Sequence, residues 1–355
     1  MKILQVNAGT ESGGGRTILI NLLKALKKQK IDTQLIVFEK GPVSDWAQKA
    51  DIPTTIMNQE GRMDLRVAGR LRKFINDNHI DVVNTHGPRA NFIMGLIHKH
   101  VSAKWIVTVH SDPFIDFANN TKGNFLTKLN TAAIKKADHL ILITPRFKSV
   151  LMDLGIAENK MTPIFNAMEF SAECPQTVHH EIFSITNVAR LMPVKNQKLL
   201  LQTLAKVDFN FQLRIVGDGE LENELKNLAK KLDLEQKVEF VGFQDDTMPY
   251  YQAADIFVLT SNSEGFPLVL LEAANQGIPA ISTDVGSCDW IVKDDTGWIV
   301  APENSSQLTK ALTAAYEKWQ QDQLRPMGQK FYQYCSQHFS SANLATALMK
   351  IYQNV

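Results

Sequence analysis

Apolar runs of strand length alternate with segments of helical periodicity along nearly the whole chain, which restricts it to α/β architectures built on parallel sheets. Runs of this kind lie at 2–7, 33–38, 80–85, 105–109 and 139–143. The alternation breaks around Asn166 to Thr177, a polar, irregular stretch with Glu169, Cys174 and Pro175, which reads as a hinge. It restarts with runs at 182–189, 209–216, 238–241, 256–259, 279–282 and 297–300, and helical segments at 305–321, 326–338 and 341–353 finish the chain. At 355 residues the length fits two domains. Two series of strand and helix predict two Rossmann-like domains facing each other.

The stretch Ser261 to Ala273 carries the most chemistry. Ala254 to Leu259 reads as a buried parallel strand, and Pro267 suits the first turn of the helix that follows. Glu264 then lies in a loop, and Glu272 about a turn and a half into the helix. Helix N-terminal amides at a sheet's carboxyl edge form an anion site, and a loop carboxylate beside them can accept hydrogen bonds from the same ligand's hydroxyls. An N-capping acid followed by a helix-surface acid is the plainer alternative, which this segment alone leaves open.

Three further signals precede it. The first strand of the second half ends in Asn187-Val188-Ala189-Arg190-Leu191, with Lys195-Asn196 just beyond. An arginine fork plus a lysine point charge suits a diphosphate. Val216-Gly217-Asp218-Gly219-Glu220 is a strand-end glycine turn entering a helix, and Phe240-Val241-Gly242-Phe243 could present backbone groups to a base.

In the first half, Gly13-Gly14-Gly15-Arg16 follows a strand but departs from the dinucleotide fingerprint, because Ile18 stands where the third glycine belongs. A nicotinamide dehydrogenase is disfavoured on that ground, although Glu39 follows the second strand at a ribose-binding distance. The glycines more readily let backbone approach a phosphate or sugar. Strand ends at His86-Gly87-Pro88-Arg89, His110-Ser111-Asp112-Pro113 and Thr144-Pro145 place polar residues where open parallel sheets build sites. Histidines at two equivalent strand ends point to a site. His110 is the stronger, with Thr108 before it and Ser111-Asp112 after it.

Charge is uneven. Residues 1–170 hold 23 Lys+Arg against 15 Asp+Glu, and the remainder 15 against 22. The basic half, with clusters at Lys122, Lys128, Lys135, Lys136 and at Arg66, Arg70, Arg72, Lys73, predicts an anionic membrane surface or a phosphate-bearing acceptor as partner. Nucleic acid is not expected. Three scattered cysteines suggest neither a disulfide framework nor a zinc site, and no Asp-x-Asp occurs, so no metal is expected. No run is long and apolar enough to span a bilayer, and the start is too short for a signal peptide. The expected location is cytoplasmic, with peripheral contact at the inner membrane face.

In order, Arg190-x4-Lys195, Val216-Gly217-Asp218-Gly219, Phe240-x-Gly242 and Glu264-x7-Glu272 resemble the donor domain of the family 4 glycosyltransferases. The triple-glycine loop and strand-end histidines resemble that family's acceptor domain, so the resemblance covers nearly the whole chain. It implies a GT-B-like α/β fold, two facing Rossmann-like domains with an interdomain cleft. An acceptor-binding domain would span 1–168 and a nucleotide-sugar domain 169–337, with a helix over 338–355 returning to the first. It also implies retaining transfer from a nucleotide diphosphate sugar, a co-substrate rather than a cofactor, UDP-sugar foremost and GDP-mannose next. The acceptor would be a sugar, lipid-linked or glycoconjugate hydroxyl in cell-envelope synthesis.

By the same resemblance, Arg190 and Lys195 would neutralise the diphosphate and Glu272 would bind the ribose. Glu264, with amides of Gly265, Phe266, Pro267, Leu268 and Val269, would hold donor-sugar hydroxyls and phosphate. Gly217 would lie in the donor site, Gly15 would approach the phosphate from the opposite domain, and Val241, Phe243 and Gln244 would border the base. Glu264 and His110 would be catalytic; Gly14, Arg16, His86 and Arg89 would stand on the acceptor side. The family's Gly-Gly-x-x-Glu segment reads Gly286-Ser287-Cys288-Asp289-Trp290 here, which bears on donor-sugar identity, and Arg16 stands where an acid is common. A sugar-nucleotide epimerase and a catalytically silent nucleotide-sugar-binding subunit share these features. Turnover without acceptor product would mark the first, and binding without turnover the second.

Overall fold

The computed structural model describes residues 1–11, 13–61, 64–111, 121–175 and 180–355, and the side chains of all of these except residues 121 and 122. Asp112, Pro113, Thr177 and the Lys122 side chain, singled out above, lie outside what is described. The chain forms two compact units, Met1–Glu169 with Ser341–Val355, and Phe170–Ser340.

The first unit is a seven-stranded parallel sheet. Its strands are β1 (Ile3–Asn7), β2 (Thr33–Val37), β3 (Thr54–Ile56), β4 (Val82–His86), β5 (Lys104–Val109), β6 (His139–Leu142) and β7 (Met161–Pro163). The helices between them are α1 (Gly14–Lys28), α2 (Pro42–Lys49), α3 (Arg66–Asp77), α4 (Pro88–Ile97), α5 (Thr121–Ile134) and α6 (Phe147–Asp153). Strand order is β3-β2-β1-β4-β5-β6-β7, so the winding reverses between β1 and β4. The second unit holds β8 (Phe183–Val188), β9 (Phe211–Val216), β10 (Val238–Gly242), β11 (Ile256–Leu259), β12 (Ala280–Thr283) and β13 (Gly297–Val300). Its helices are α7 (Gln197–Leu204), α8 (Glu222–Lys231), α9 (Met248–Gln252), α10 (Leu268–Asn275), α11 (Cys288–Ile291), α12 (Ser305–Gln320) and α13 (Leu324–His338). Order β10-β9-β8-β11-β12-β13 reverses between β8 and β11.

The central strands of both sheets are buried on both faces, which is why they read as near-continuous apolar runs. In the first unit Ile3, Val82, Ile106 and Ile141 pack with α1 and with Leu344, Ala345, Leu348 and Ile351 of the last helix, α14 (Ser341–Asn354). That apolar stripe, spaced at three and four residues, makes α14 part of the first unit's core. The boundary expected after residue 337 falls inside α13, which stays helical to His338; the chain changes unit at Ser341.

Some sequence expectations shift. β3 and β7 carry three residues each, too few to show a periodicity, and went unread. Helix α1 begins at Gly14, so Gly14 and Gly15 form its first turn rather than a loop. Pro267 is the extended N-cap of α10 (φ −77°, ψ 102°), one position before the helix. The basic cluster on α3 is largely matched locally: Arg66 bonds Asp64 and Glu60, Arg70 bonds Asp64, and Lys73 bonds Asp77. Asp64, held mainly by the Arg66 guanidinium, has its carboxyl well below the usual range. This face is an ion-pair network, so much of its positive charge is not available to an outside anion.

Candidate functional site

In the second unit, the switch point between β8 and β11 gathers the predicted donor residues. After β8 the chain runs through Arg190 to Asn196, and that loop is stapled to the exit of β11. Asn262 N donates to Val194 O (2.7 Å), and the Thr260 hydroxyl lies 3.2 Å from Lys195 O and 3.1 Å from Asn196 O. Asn196, in the left-handed region at φ 48°, ends the turn and caps α7 by accepting from Leu199 N. This aims Lys195 at the loop that precedes α10. Its Nζ lies 2.5 Å from Glu264 Oε1, and the Ser261 hydroxyl donates to the same oxygen at 2.6 Å. The two charged side chains are only 18% and 10% exposed. Arg190 is exposed, and its guanidinium takes no partner among the described residues.

Two glycines let these turns approach. At Gly217 (φ 134°) a Cβ would lie 2.1 Å from Ala189 O, and at Gly286 (φ 56°) 2.3 Å from Glu264 O. Gly217→Ala therefore combines backbone strain with a clash against fixed backbone, and is expected to destabilise the second unit by about 2 kcal/mol or more. Chemical denaturation would check this; a cost under about 0.5 kcal/mol, the usual surface value, would show that the turn relaxes freely. Gly217 N also donates to Gly242 O (2.9 Å), which brings the Val241–Gln244 segment beside the Arg190 turn. Phe243 is 61% exposed there, an aromatic face without a core to fill.

Glu272 reaches a different neighbourhood. Its carboxyl is buried and accepts from the Tyr251 hydroxyl at 2.8 Å, with the Thr247 hydroxyl also bonding it. Burial raises its pKa, against those two bonds. Tyr251 was not anticipated, since Tyr250-Tyr251 gives no sign of which ring turns inward. The Phe266 ring packs edge-on against Phe339 (5.5 Å between centroids), so its side chain serves the core. Pro267 has no amide hydrogen, so the amides near Glu264 come from its neighbours.

In the first unit the switch point between β1 and β4 carries the histidines. His86 is 1% exposed; its Nδ1 lies 2.8 Å from His110 Nε2, and its Nε2 lies 2.7 Å from Gln5 Oε1. Burial pushes His110 down to about 4; burial, then the charge of His110, holds His86 well below its ordinary value. Both rings are therefore neutral at pH 7. His110 also lines a pocket with Gly87, Asn91, Thr108, Ser111 and Asn130. Arg89 is not a free acceptor-side cation. It pairs with Glu39 at 2.7 Å and donates to Ala8 O, which also occupies the acid weighed above as a ribose ligand. Arg16 lies 3.8 Å from the centroid of the Trp46 ring, a cation–π contact. Gly14 and Gly15 stand at the N-terminus of α1, and a Cβ on Gly15 would lie 3.3 Å from the Glu11 carboxylate.

Two doubly wound parallel sheets, with charged and polar groups at both switch points, are the architecture of a GT-B glycosyltransferase. The chain belongs to the family 4 glycosyltransferases: residues 12–171 match the family described as Glycosyltransferase Family 4, and residues 177–334 that described as Glycosyl transferases group 1. Among characterised proteins it is similar to the Escherichia coli UDP-Gal:alpha-D-GlcNAc-diphosphoundecaprenol alpha-1,3-galactosyltransferase, at 24% identity over 88% of this chain and 87% of that one. A Campylobacter jejuni N-acetylgalactosamine-N,N'-diacetylbacillosaminyl-diphospho-undecaprenol 4-alpha-N-acetylgalactosaminyltransferase is 30% identical over 55% of this chain and 56% of its own. Among solved structures, Anabaena HepE in complex with UDP superposes with a TM-score of 0.87 at 17% identity, over 100% of both chains. At that identity the likeness speaks for the fold.

Proposed function

We propose that this protein transfers a sugar from a UDP-sugar to a hydroxyl of a lipid-linked or other envelope glycoconjugate, with retention at the anomeric carbon and without a divalent metal. The observation that carries the reading is the Lys195–Glu264–Ser261 cluster at one sheet's switch point, in the same loop region as Arg190, whose guanidinium has no partner among the described residues. Arg190 and Lys195 are assigned the diphosphate, since two fixed cations can stabilise the departing charge that a metal stabilises elsewhere. Glu264 and the amides of Gly265, Leu268 and Val269 are assigned the donor sugar, and Glu272, oriented by Tyr251, the ribose. Phe243 and the backbone around Val241 and Gln244 are assigned the base. In the other unit His110 is assigned the reacting sugar.

Retention follows if the acceptor attacks on the face that the diphosphate leaves, with a departing phosphate oxygen taking the acceptor proton. The envelope setting is supported by relatives whose names specify undecaprenyl-diphosphate-linked sugars, and the donor by neighbours solved with UDP and UDP-glucose. No helix among the described residues is long and apolar enough to cross a membrane, so a lipid-linked acceptor would be met at the membrane surface.

A panel of nucleotide sugars, offered with and without undecaprenyl-diphosphate sugars and read by nucleotide release and product, tests the reading. UDP release that depends on acceptor, unchanged by EDTA, is the expected result. Release without acceptor product would favour an epimerase or a hydrolase, and complete loss in EDTA restored by magnesium would overturn the metal-free assignment.

A further inference from the structure

On one face of the seven-stranded sheet, three neighbouring strands change character together. Ile3, Val82 and Ile106 lie in the apolar core under α1 and α14. Alternate residues share a face, so the same face next presents Gln5, Asn84 and Thr108, and then Asn7, His86 and His110. Gln5 and Asn84 are fully buried. Buried polar groups are costly unless bonded, and these form a continuous chain. The Thr108 hydroxyl donates to Asn84 Oδ1 (3.0 Å), and Asn84 Nδ2 and Gln5 Nε2 donate to the Tyr352 hydroxyl of α14 (3.0 and 3.2 Å). Gln5 Oε1 then meets His86, and His86 meets His110.

The direction of the chain follows from what each atom can do. A carboxamide oxygen only accepts. With Gln5 Nε2 committed to Tyr352, Gln5 Oε1 accepts the His86 Nε2 proton. His86 Nδ1 is left with a lone pair, which accepts the His110 Nε2 proton. His110 Nδ1 is then bare, and it is a buried nitrogen with no partner among the described residues.

We propose that Gln5 and His86, held by Tyr352, are positioning residues that lock His110 in its Nε2-protonated tautomer, so that Nδ1 accepts a hydrogen bond from a sugar hydroxyl. The hydroxyl's identity rests on the glycosyltransferase reading; the tautomer does not. A phosphate oxygen or a carbonyl is the wrong ligand for this nitrogen, because each would set one lone pair against another. The last helix thereby takes part in the site, since the Tyr352 hydroxyl accepts from the Gln5 amide nitrogen while the Gln5 oxygen faces His86.

Two-bond 1H–15N correlation spectra of the full-length protein labelled at its nine histidines decide the tautomer. His86 and His110 are assigned by their loss in His86→Asn and His110→Asn. The expected wild-type result at pH 7 is a protonated Nε2 and an unprotonated Nδ1 on His110. A protonated Nδ1 overturns the proposal. In His86→Asn the Asn Oδ1 takes the place of Nδ1 and keeps the acceptor; His86→Leu removes it. His86→Leu should mix the His110 tautomers and lower turnover roughly tenfold to a hundredfold, with donor KM little changed, and His86→Asn should recover most of that loss. Equal tautomers and equal turnover in the two variants would refute the positioning role. If His86→Leu does not fold, the wild-type and His86→Asn spectra still decide. A wild-type chain that turns over no nucleotide sugar would sink the transferase reading while leaving the tautomer measurement intact.

Discussion

Lys195→Met is expected to lower sugar transfer by about a hundredfold or more, the loss typical of removing one preorganised charge-stabilising group. Two effects add. The lysine is one of two cations assigned to the leaving diphosphate, and it is also the partner of Glu264 at 2.5 Å, in a pair that is 18% and 10% exposed. Breaking a buried pair from one side costs about 3–5 kcal/mol, because the remaining charge keeps its desolvation cost. Among the described residues, the Ser261 hydroxyl then remains to hold the Glu264 carboxylate. Lys195→Met/Glu264→Gln should therefore recover stability relative to Lys195→Met without recovering turnover. Glu264→Gln alone should mainly lower turnover, since a carboxylate assigned to the donor sugar would count more as positive charge grows at the anomeric carbon. Glu272→Gln should instead mainly raise the donor KM, since ribose contacts change little during the reaction. Near-normal turnover in Lys195→Met would remove it from the site, and equal stability of the single and double variants would show that the pair is uncoupled.

The second large effect is on stability. The first unit should lose about 2 kcal/mol between pH 7 and pH 5 from His110 alone, given a folded pKa of about 4 and an unfolded value near 6.5. Its folded pKa is depressed, so across that window the unfolded chain binds more protons than the folded one. Stability is then complete above about pH 6.5 and declines as pH falls towards 4. His86, buried beside it, acts in the same direction, as does the half-buried His139. The lowered carboxyls Asp51, Asp64 and Glu158 lose their contributions only at still lower pH, below their unfolded values near 4. Hydrogen exchange of amides in β4 and β5, corrected for intrinsic rates and compared with β8 and β11, gives the measurement unit by unit. Protection in β4 and β5 that is flat from pH 7 to pH 5 would show that the histidines are charged, or free to leave, in the folded state.

What could be read along the chain was whatever depends on neighbours in sequence. Two residues per pleat and three to four per helical turn mark β8, β11 and α12 directly, because burial of one face imposes those periods. The spacing of Arg190 to Lys195, and of Glu264 to Glu272, is legible for the same reason: a strand end, a loop and a first helical turn lie within a dozen residues. Short edge strands such as β3 escape, since three residues complete no period. Net charge was legible for the half-chain but misleading for α3, where Asp64 folds back onto Arg66 and Arg70.

Tertiary structure decided the partnerships. Lys195 and Glu264 are 69 residues apart, and Gln5 and Tyr352 are 347 apart. They meet because strand order places β8 beside β11 and because α14 packs on the first sheet. Gln5 and Asn84 lie inside buried strands, where nothing local marks them as partners of His86 or of Tyr352. A hydrogen bond needs its two atoms within about 3 Å and correctly directed. Only the register of neighbouring strands sets that geometry, and register is a property of the folded sheet.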